Sequence, residues 1–278
     1  MQTIIGLGKA GCSLAEHFKE YSQYSVYKID EGLKKTKNTF GIKKQPSVEA
    51  YEKNTKTKLK DIEQQATFIT SCGNISGASL KLLQPIKDKT KIKCIYIVPE
   101  EEDLSHNKKL QNKLLFNVFQ EYARSDVFVE TTLISNHNLN NIIGDVSVLQ
   151  YWNKVNQLLA STYHMIEVFE NTKPIMTNFS NRVKVAKIST IGLINWETNE
   201  ENLFFKLDIP REKRYYYAIP EKMLSEDTTL MKKIKKQIKN GVEHDNMKVS
   251  YGIYATQYEQ PFVYCKSFSS MIQSLPAL

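Results

Sequence analysis

The sequence predicts an α/β fold: a mainly parallel sheet with helices between its strands, then a long helix, then a smaller α+β part. Three observations carry this. Apolar runs of strand length alternate with helical patterns in the first half, at 2–6, 25–29, 66–70, 92–98 and 127–134. A helical period then holds for about six turns over 146–170. After Pro174 the texture changes to strands around one helix. The expected domains are residues 1–145, a connecting helix over 146–172, and a C-terminal α+β domain over 173–278.

The first strand stops at Gly6. A Gly-x-Gly-x-x-Gly turn follows, Gly6-Leu7-Gly8-Lys9-Ala10-Gly11, before a helix expected over 14–21. Glycines let the backbone fold sharply and approach a ligand. The N–H groups of the helix start then face outward, and the helix dipole favours an anion there. The second strand ends at Asp30, about 20 residues on, where a dinucleotide-binding fold places its ribose-binding acid. From residues 1–32 alone the reading is an NAD(P)-dependent oxidoreductase.

The rest of the chain argues otherwise. Residues 34–60 read as a lysine-rich loop with a short helix from about Ser47. The strand at 66–70 runs into a second small-residue turn, Ser71-Cys72-Gly73-Asn74-Ile75-Ser76-Gly77-Ala78-Ser79, and a helix to about 86. Two such turns on neighbouring strands can grip one polyphosphate, through backbone N–H groups and the hydroxyls of Ser13 and Ser76. The plain alternative is that Gly73 and Gly77 only make a tight strand–helix turn. Strand 92–98 leads to the acidic turn 99–103 and a helix over 108–122. The long helix carries Leu149, Trp152, Val155, Leu158, Leu159, Tyr163, Ile166 and Phe169 on its apolar stripe. The last part reads as strands at 183–194, 203–207, 215–219, 247–256 and 261–268, with a helix over 225–240.

Composition narrows the classes. The chain has 278 residues and 41% hydrophobic content, enough for a sizeable core. No apolar run approaches the roughly 20 residues of a membrane span, and no secretory signal precedes the first strand. Four scattered cysteines read as reduced thiols, and five histidines make no metal-ligand spacing. A cytoplasmic protein is expected. The net charge is +8, with lysines concentrated over 34–60 and at Lys232, Lys233, Lys235, Lys236 and Lys239. No nucleic-acid motif accompanies them, so they read as solvated surface.

On these residues the chain resembles the tubulin/FtsZ superfamily of filament-forming GTPases, in its divergent phage- or plasmid-type branch. Gly8, Lys9, Ala10, Gly11 and Ser13 resemble that family's first glycine loop. Cys72, Gly73, Asn74, Ser76 and Gly77 fall on its signature loop, from which Cys72, Asn74 and Ile75 depart. Asp103 lies where the family contacts ribose, and Asn136 where a strand end approaches the nucleotide. Trp152 resembles the aromatic that stacks on guanine, with Asn156, one helical turn on, reading the base edge. The resemblance implies a Rossmann-like GTPase-type domain that binds GTP or GDP, with Mg2+ accompanying the nucleotide. It implies a partner that is the chain itself, in a head-to-tail cytoskeletal filament in a bacterial or phage-infected cytoplasm. An adaptor is a further partner, although no long charged tail follows the last expected strand.

The family completes its active site across the filament contact, with acidic residues in an Asn-x-Asp-x-x-Asp loop after the long helix. Here asparagine stands at both acidic positions, Asn178 and Asn181. An amide orients water but does not accept its proton, so GTP hydrolysis is expected to be slow or absent. Glu167 or Glu170 offers an alternative acid, though both read as solvated. Ile75 stands where the family has glycine, at a steric cost if that position needs positive φ. Two other readings remain: the oxidoreductase, and a structural homologue without nucleotide.

Overall fold

The computed structural model describes residues 2–56, 59, 62 and 64–275, apart from the side chain of Asp103. It is an α/β structure, as the sequence predicts, in two compact units. One comprises residues 1–160 with 274–278, the other 161–273, so the division falls inside the long helix.

The first unit runs β1 (Gln2–Leu7), α1 (Gly8–His17), β2 (Tyr24–Glu31), β3 (Thr39–Ile42), α2 (Val48–Asn54), β4 (Gln64–Ser71), α3 (Ser79–Leu83), β5 (Thr90–Val98), α4 (His106–Arg124), β6 (Glu130–Ser135), α5 (Asn136–Ile143), and the first half of α6 (Tyr151–Glu170). Its strands lie in the order β3-β2-β1-β4-β5-β6, and every neighbouring pair is parallel. The order reverses between β1 and β4. At such a switch point the connections leave in opposite directions and open a crevice at the carboxyl ends of the strands.

Some expectations shift. α1 begins at Gly8 rather than near residue 14, because the glycine turn is itself the first turn of the helix. β3 is short and lies in lysine-rich text. α5 reads NHNLNNII with Leu139 its buried residue, too little for a periodic signal. α6 starts at Tyr151, not 146, leaving Val148 and Leu149 before it, 90% and 97% exposed. Leu149 is therefore not on the stripe, whereas Val155, Leu159, Tyr163, Ile166 and Phe169 are buried.

The second unit holds the rest of α6, then β7 (Met176–Thr177), β8 (Ile188–Ile194), β9 (Glu201–Leu203), β10 (Glu212–Pro220), α7 (Glu221–Glu226), α8 (Leu230–Asn240), β11 (Lys248–Thr256) and β12 (Phe262–Ser269). The order is β8-β12-β10-β11-β7, with β9 beside β8; only β10 and β11 pair in parallel. The single helix expected over 225–240 is two. Asp227 breaks it, its Oδ1 accepting from the Thr229 N–H at 2.8 Å and so turning the chain. The strand expected from 183 starts at Ile188, after a turn closed by Ala186 N–H on the Val183 carbonyl.

α8 seats Leu230 and Ile234 among Tyr215, Tyr217, Ile253, Val263 and Cys265. Gln237 is buried on the same face, and among the described residues neither atom of its carboxamide has a hydrogen-bond partner. Gln237→Met keeps the volume and removes two unsatisfied groups, so it should stabilise the chain by about 1 kcal/mol in urea unfolding. A destabilised variant contradicts this.

His164, on α6 in the second unit, is buried, and burial holds its imidazole below the ordinary value of 6.5. The unfolded chain therefore takes up the proton first. Stability is full above that value and declines as pH falls below it. His164→Gln should flatten the loss seen between urea melts at pH about 7 and about 5. An unchanged loss contradicts it.

Among the described residues no helix is long and apolar enough to cross a membrane. The four cysteines are free, with Cys94 and Cys265 buried.

Candidate functional site

The parallel register pairs Gly6 of β1 with Ile69 of β4, so two residues on Gly8 stands abreast of Ser71. Both small-residue turns thus leave the sheet side by side at the switch point. α1 has no side-chain cap at Leu7 and no acidic residue in its first turn. The first N–H groups of a helix have no partner within it. Gly8, Lys9 and Ala10 therefore present backbone donors at the positive end of a helix. Gly8 has φ +73°, open to glycine and costly for other residues. Gly11 is required by packing, since a Cβ there would lie 2.3 Å from the Ile69 carbonyl oxygen.

The flanking groups are structural. The Cys12 thiol lies 3.3 Å from the Gly6 carbonyl and 3.4 Å from that of Ile29, and burial pushes its pKa up to about 12, so it is no nucleophile. Asp30 accepts the Glu31 N–H on Oδ1 at 2.8 Å, and partial burial raises its pKa.

The second turn is not an open glycine loop. Residues Asn74–Ala78 form a 3-10 turn. Its polar groups are engaged locally: Cys72 O accepts from Gln111 Nε2 at 2.8 Å, Asn74 Nδ2 donates to Pro46 O at 3.1 Å, and Ser76 Oγ donates to Gly73 O at 2.7 Å. A hydroxyl has one proton, so Ser76 has spent its donor on its own turn. Ile75 is not among the residues with positive φ, so the strain considered from sequence does not arise. Its side chain instead lies on the first turn: a Cβ on Gly8 would sit 2.8 Å from Ile75 Cγ2. Gly77 has a packing reason too, for a Cβ there would fall 2.0 Å from Val48 O of α2.

α6 brings the other candidates to the first turn. Asn156 is buried, and its Nδ2 donates to Ser13 Oγ at 2.9 Å. Trp152, one turn earlier on the same helix face, is 55% exposed and packs edge-on against Tyr151 at 5.0 Å between centroids. It is therefore not a core tryptophan, and Asn156 is not a solvated surface amide. Asn136 opens α5 at the end of β6, where Ser135 Oγ accepts the Asn138 N–H. The side chain of Asp103 lies outside the described ones.

Asn178 and Asn181 belong to the second unit, in a loop tied down from two strands, β10 and β11. Asn178 N–H donates to Tyr251 O at 3.1 Å, and Tyr251 N–H donates to Asn178 Oδ1 at 2.6 Å, extending the β7–β11 ladder. Arg214 donates to Ser180 O at 2.9 Å and lies over the Phe179 ring. Lys248 Nζ donates to Asn181 O. Beneath them Glu212, fully buried, accepts from Arg214 Nε at 2.7 Å and from Val183 N–H at 2.8 Å. Of the alternative acids, Glu170 is exposed and held by Tyr216 Oη at 3.0 Å and Lys266 Nζ at 3.3 Å, whereas Glu167 is buried and so is not the solvated residue expected.

No family model matches the chain, and no curated protein matches it in sequence. Solved structures do, and the fold is the one shared by TubZ, CetZ and FtsZ. The GTPγS-form protofilament of TubZ from Bacillus thuringiensis serovar israelensis has a TM-score of 0.71 at 14% identity, over 99% of this chain and 87% of that one. The GTPγS-bound protofilament of CetZ2 from Haloferax volcanii also reaches 0.71, at 11% identity over 96% and 93%. An empty FtsZ dimer from M. jannaschii reaches 0.56, at 11% identity over 96% and 88%.

Proposed function

We propose that this chain is a tubulin/FtsZ-like protein that binds a guanine nucleotide, assembles head to tail into filaments, and hydrolyses GTP slowly or not at all. The Asn156–Ser13 hydrogen bond carries the reading, because it joins the base-reading position of α6 to the phosphate end of α1 across 143 residues of sequence. The uncapped N-terminus of α1 supplies N–H donors to phosphate, from Gly8 to Ala10. The exposed Trp152 face offers the purine a stacking platform. Asn156 gives one amide proton to Ser13 and keeps Oδ1 for the donors on a guanine edge. Asn136 and Asp103 border the nucleotide on the side of β5 and β6. Mg2+ would be held with the nucleotide phosphates.

The bound nucleotide supplies the phosphate chain that a head-to-tail neighbour meets. Asn178 and Asn181 orient a water there without taking its proton, which keeps turnover low. The matched TubZ and CetZ2 structures are protofilaments, which supports self-association of this chain. A second reading, a homologue without nucleotide, is favoured by Ile75 lying against Gly8 and by the spent hydroxyl of Ser76. Electron microscopy of the purified chain with a non-hydrolysable GTP analogue tests the filament reading. Filaments that need the analogue are expected; filaments indifferent to it favour the second reading, and monomers throughout contradict assembly.

A further inference from the structure

α8 has two opposite faces. Leu230, Ile234 and Gln237 are buried against the sheet of their unit. Lys232, Lys235, Lys236 and Lys239 stand at i, i+3, i+4 and i+7, one continuous stripe on the far side, all exposed. The helix, LMKKIKKQIKN, has no acidic residue. Lys233, on the flank, is held by Asp227 at 3.0 Å, but among the described residues none of the four stripe lysines is in an ion pair. Seven residues of helix span about 10 Å, so four like charges are held along that length without a counter-charge. That arrangement calls for an anionic surface.

The chain carries one. Glu100, Glu101 and Glu102 are consecutive at the end of β5, where Glu101–Asp103 form a 3-10 turn. Among the described residues these three glutamates also have no ion pair; Glu102 is exposed and the other two half-buried. The two steps from Glu100 to Glu102 span about 5 Å of backbone, about half the length of the stripe. We infer that the lysine stripe of α8 docks on the acidic turn, Glu100 to Glu102, of a second copy of this chain. The stripe and the turn are different patches on different units, so in the head-to-tail arrangement proposed above each copy offers a stripe to one neighbour and a turn to the other. Nucleic acid is the less favoured occupant: α8 offers no arginine and no aromatic side chain to stack on or read a base. This inference rests on the head-to-tail reading and names the charge pairing within it.

Two full-length variants test it. One reverses the stripe, Lys232→Glu/Lys235→Glu/Lys236→Glu/Lys239→Glu. The other reverses the turn, Glu100→Lys/Glu101→Lys/Glu102→Lys. Pelleting at low salt with a non-hydrolysable GTP analogue is expected to show each variant needing at least about tenfold more protein to assemble than the parent. An equal mixture should assemble near the parent concentration, because each variant's stripe then matches the other's turn. That rescue also shows both variants to be folded. Parent filaments indifferent to both reversals overturn the pairing and leave filament formation standing. A mixture that stays unassembled overturns it, and so does a parent that stays monomeric at low salt. GTP titration of that same monomer decides nucleotide binding separately. A stripe reversal that assembles normally but no longer shifts a DNA duplex on a gel overturns it in favour of nucleic acid.

Discussion

The double variant Asn178→Asp/Asn181→Asp is expected to release phosphate from GTP on the order of 100-fold to 10,000-fold faster than the parent chain. The loop can accept both changes. Asn178 uses its Oδ1 as an acceptor for the Tyr251 N–H. A carboxylate keeps that bond and leaves a second oxygen to take a proton from water. At position 181 Lys248 binds the backbone carbonyl, so a new carboxylate gains a cation nearby. Phosphate release at assembling concentrations separates the contributions: each single variant should fall between parent and double. A parent that turns over briskly contradicts the amide account, as does a double variant no faster than the parent.

Glu212→Ala should cost the second unit about 3–5 kcal/mol, as breaking a buried ion pair does. The carboxylate is fully buried and receives Arg214 Nε and the Val183 N–H. Removing it strands a guanidinium whose side chain is only 16% exposed, and frees the end of the loop that Arg214 holds through Ser180. Glu212→Gln keeps an oxygen acceptor and should cost less. Urea unfolding of both variants checks the order. Equal stabilities for parent and Glu212→Ala would falsify the view of Glu212 as the anchor of this loop.

The parallel half of the fold was legible because its strands are buried on both faces and read as apolar runs. β3 and α5 were not, since four residues in polar text and an asparagine-rich octet bury too little to leave a period. Within the candidate site, the spacing of Trp152 and Asn156 was readable, for a one-turn separation fixes a shared helix face whatever the rest of the fold does. The second turn left two readings open. A glycine needed for a close approach and a glycine needed for phosphate look alike in sequence, and only Val48 O, 2.0 Å from the missing Cβ, explains Gly77 by packing. The anchors of the amide loop were also out of reach. Arg214 and Lys248 come from strands 34 and 67 residues beyond the carbonyls they bind, and a local pattern carries no trace of them.

The proposed function depends on whether the N-terminus of α1 and the Trp152–Asn156 face of α6 hold a guanine nucleotide. Calorimetric titration of the full chain at about 100 μM with GTP, GDP and ATP measures this directly, since that concentration registers any Kd in the micromolar range. One site per chain for GTP and GDP is predicted, with ATP weaker and the preference lost in Asn156→Ala. No heat with either guanine nucleotide would contradict the central claim and leave the fold as a scaffold without its ligand.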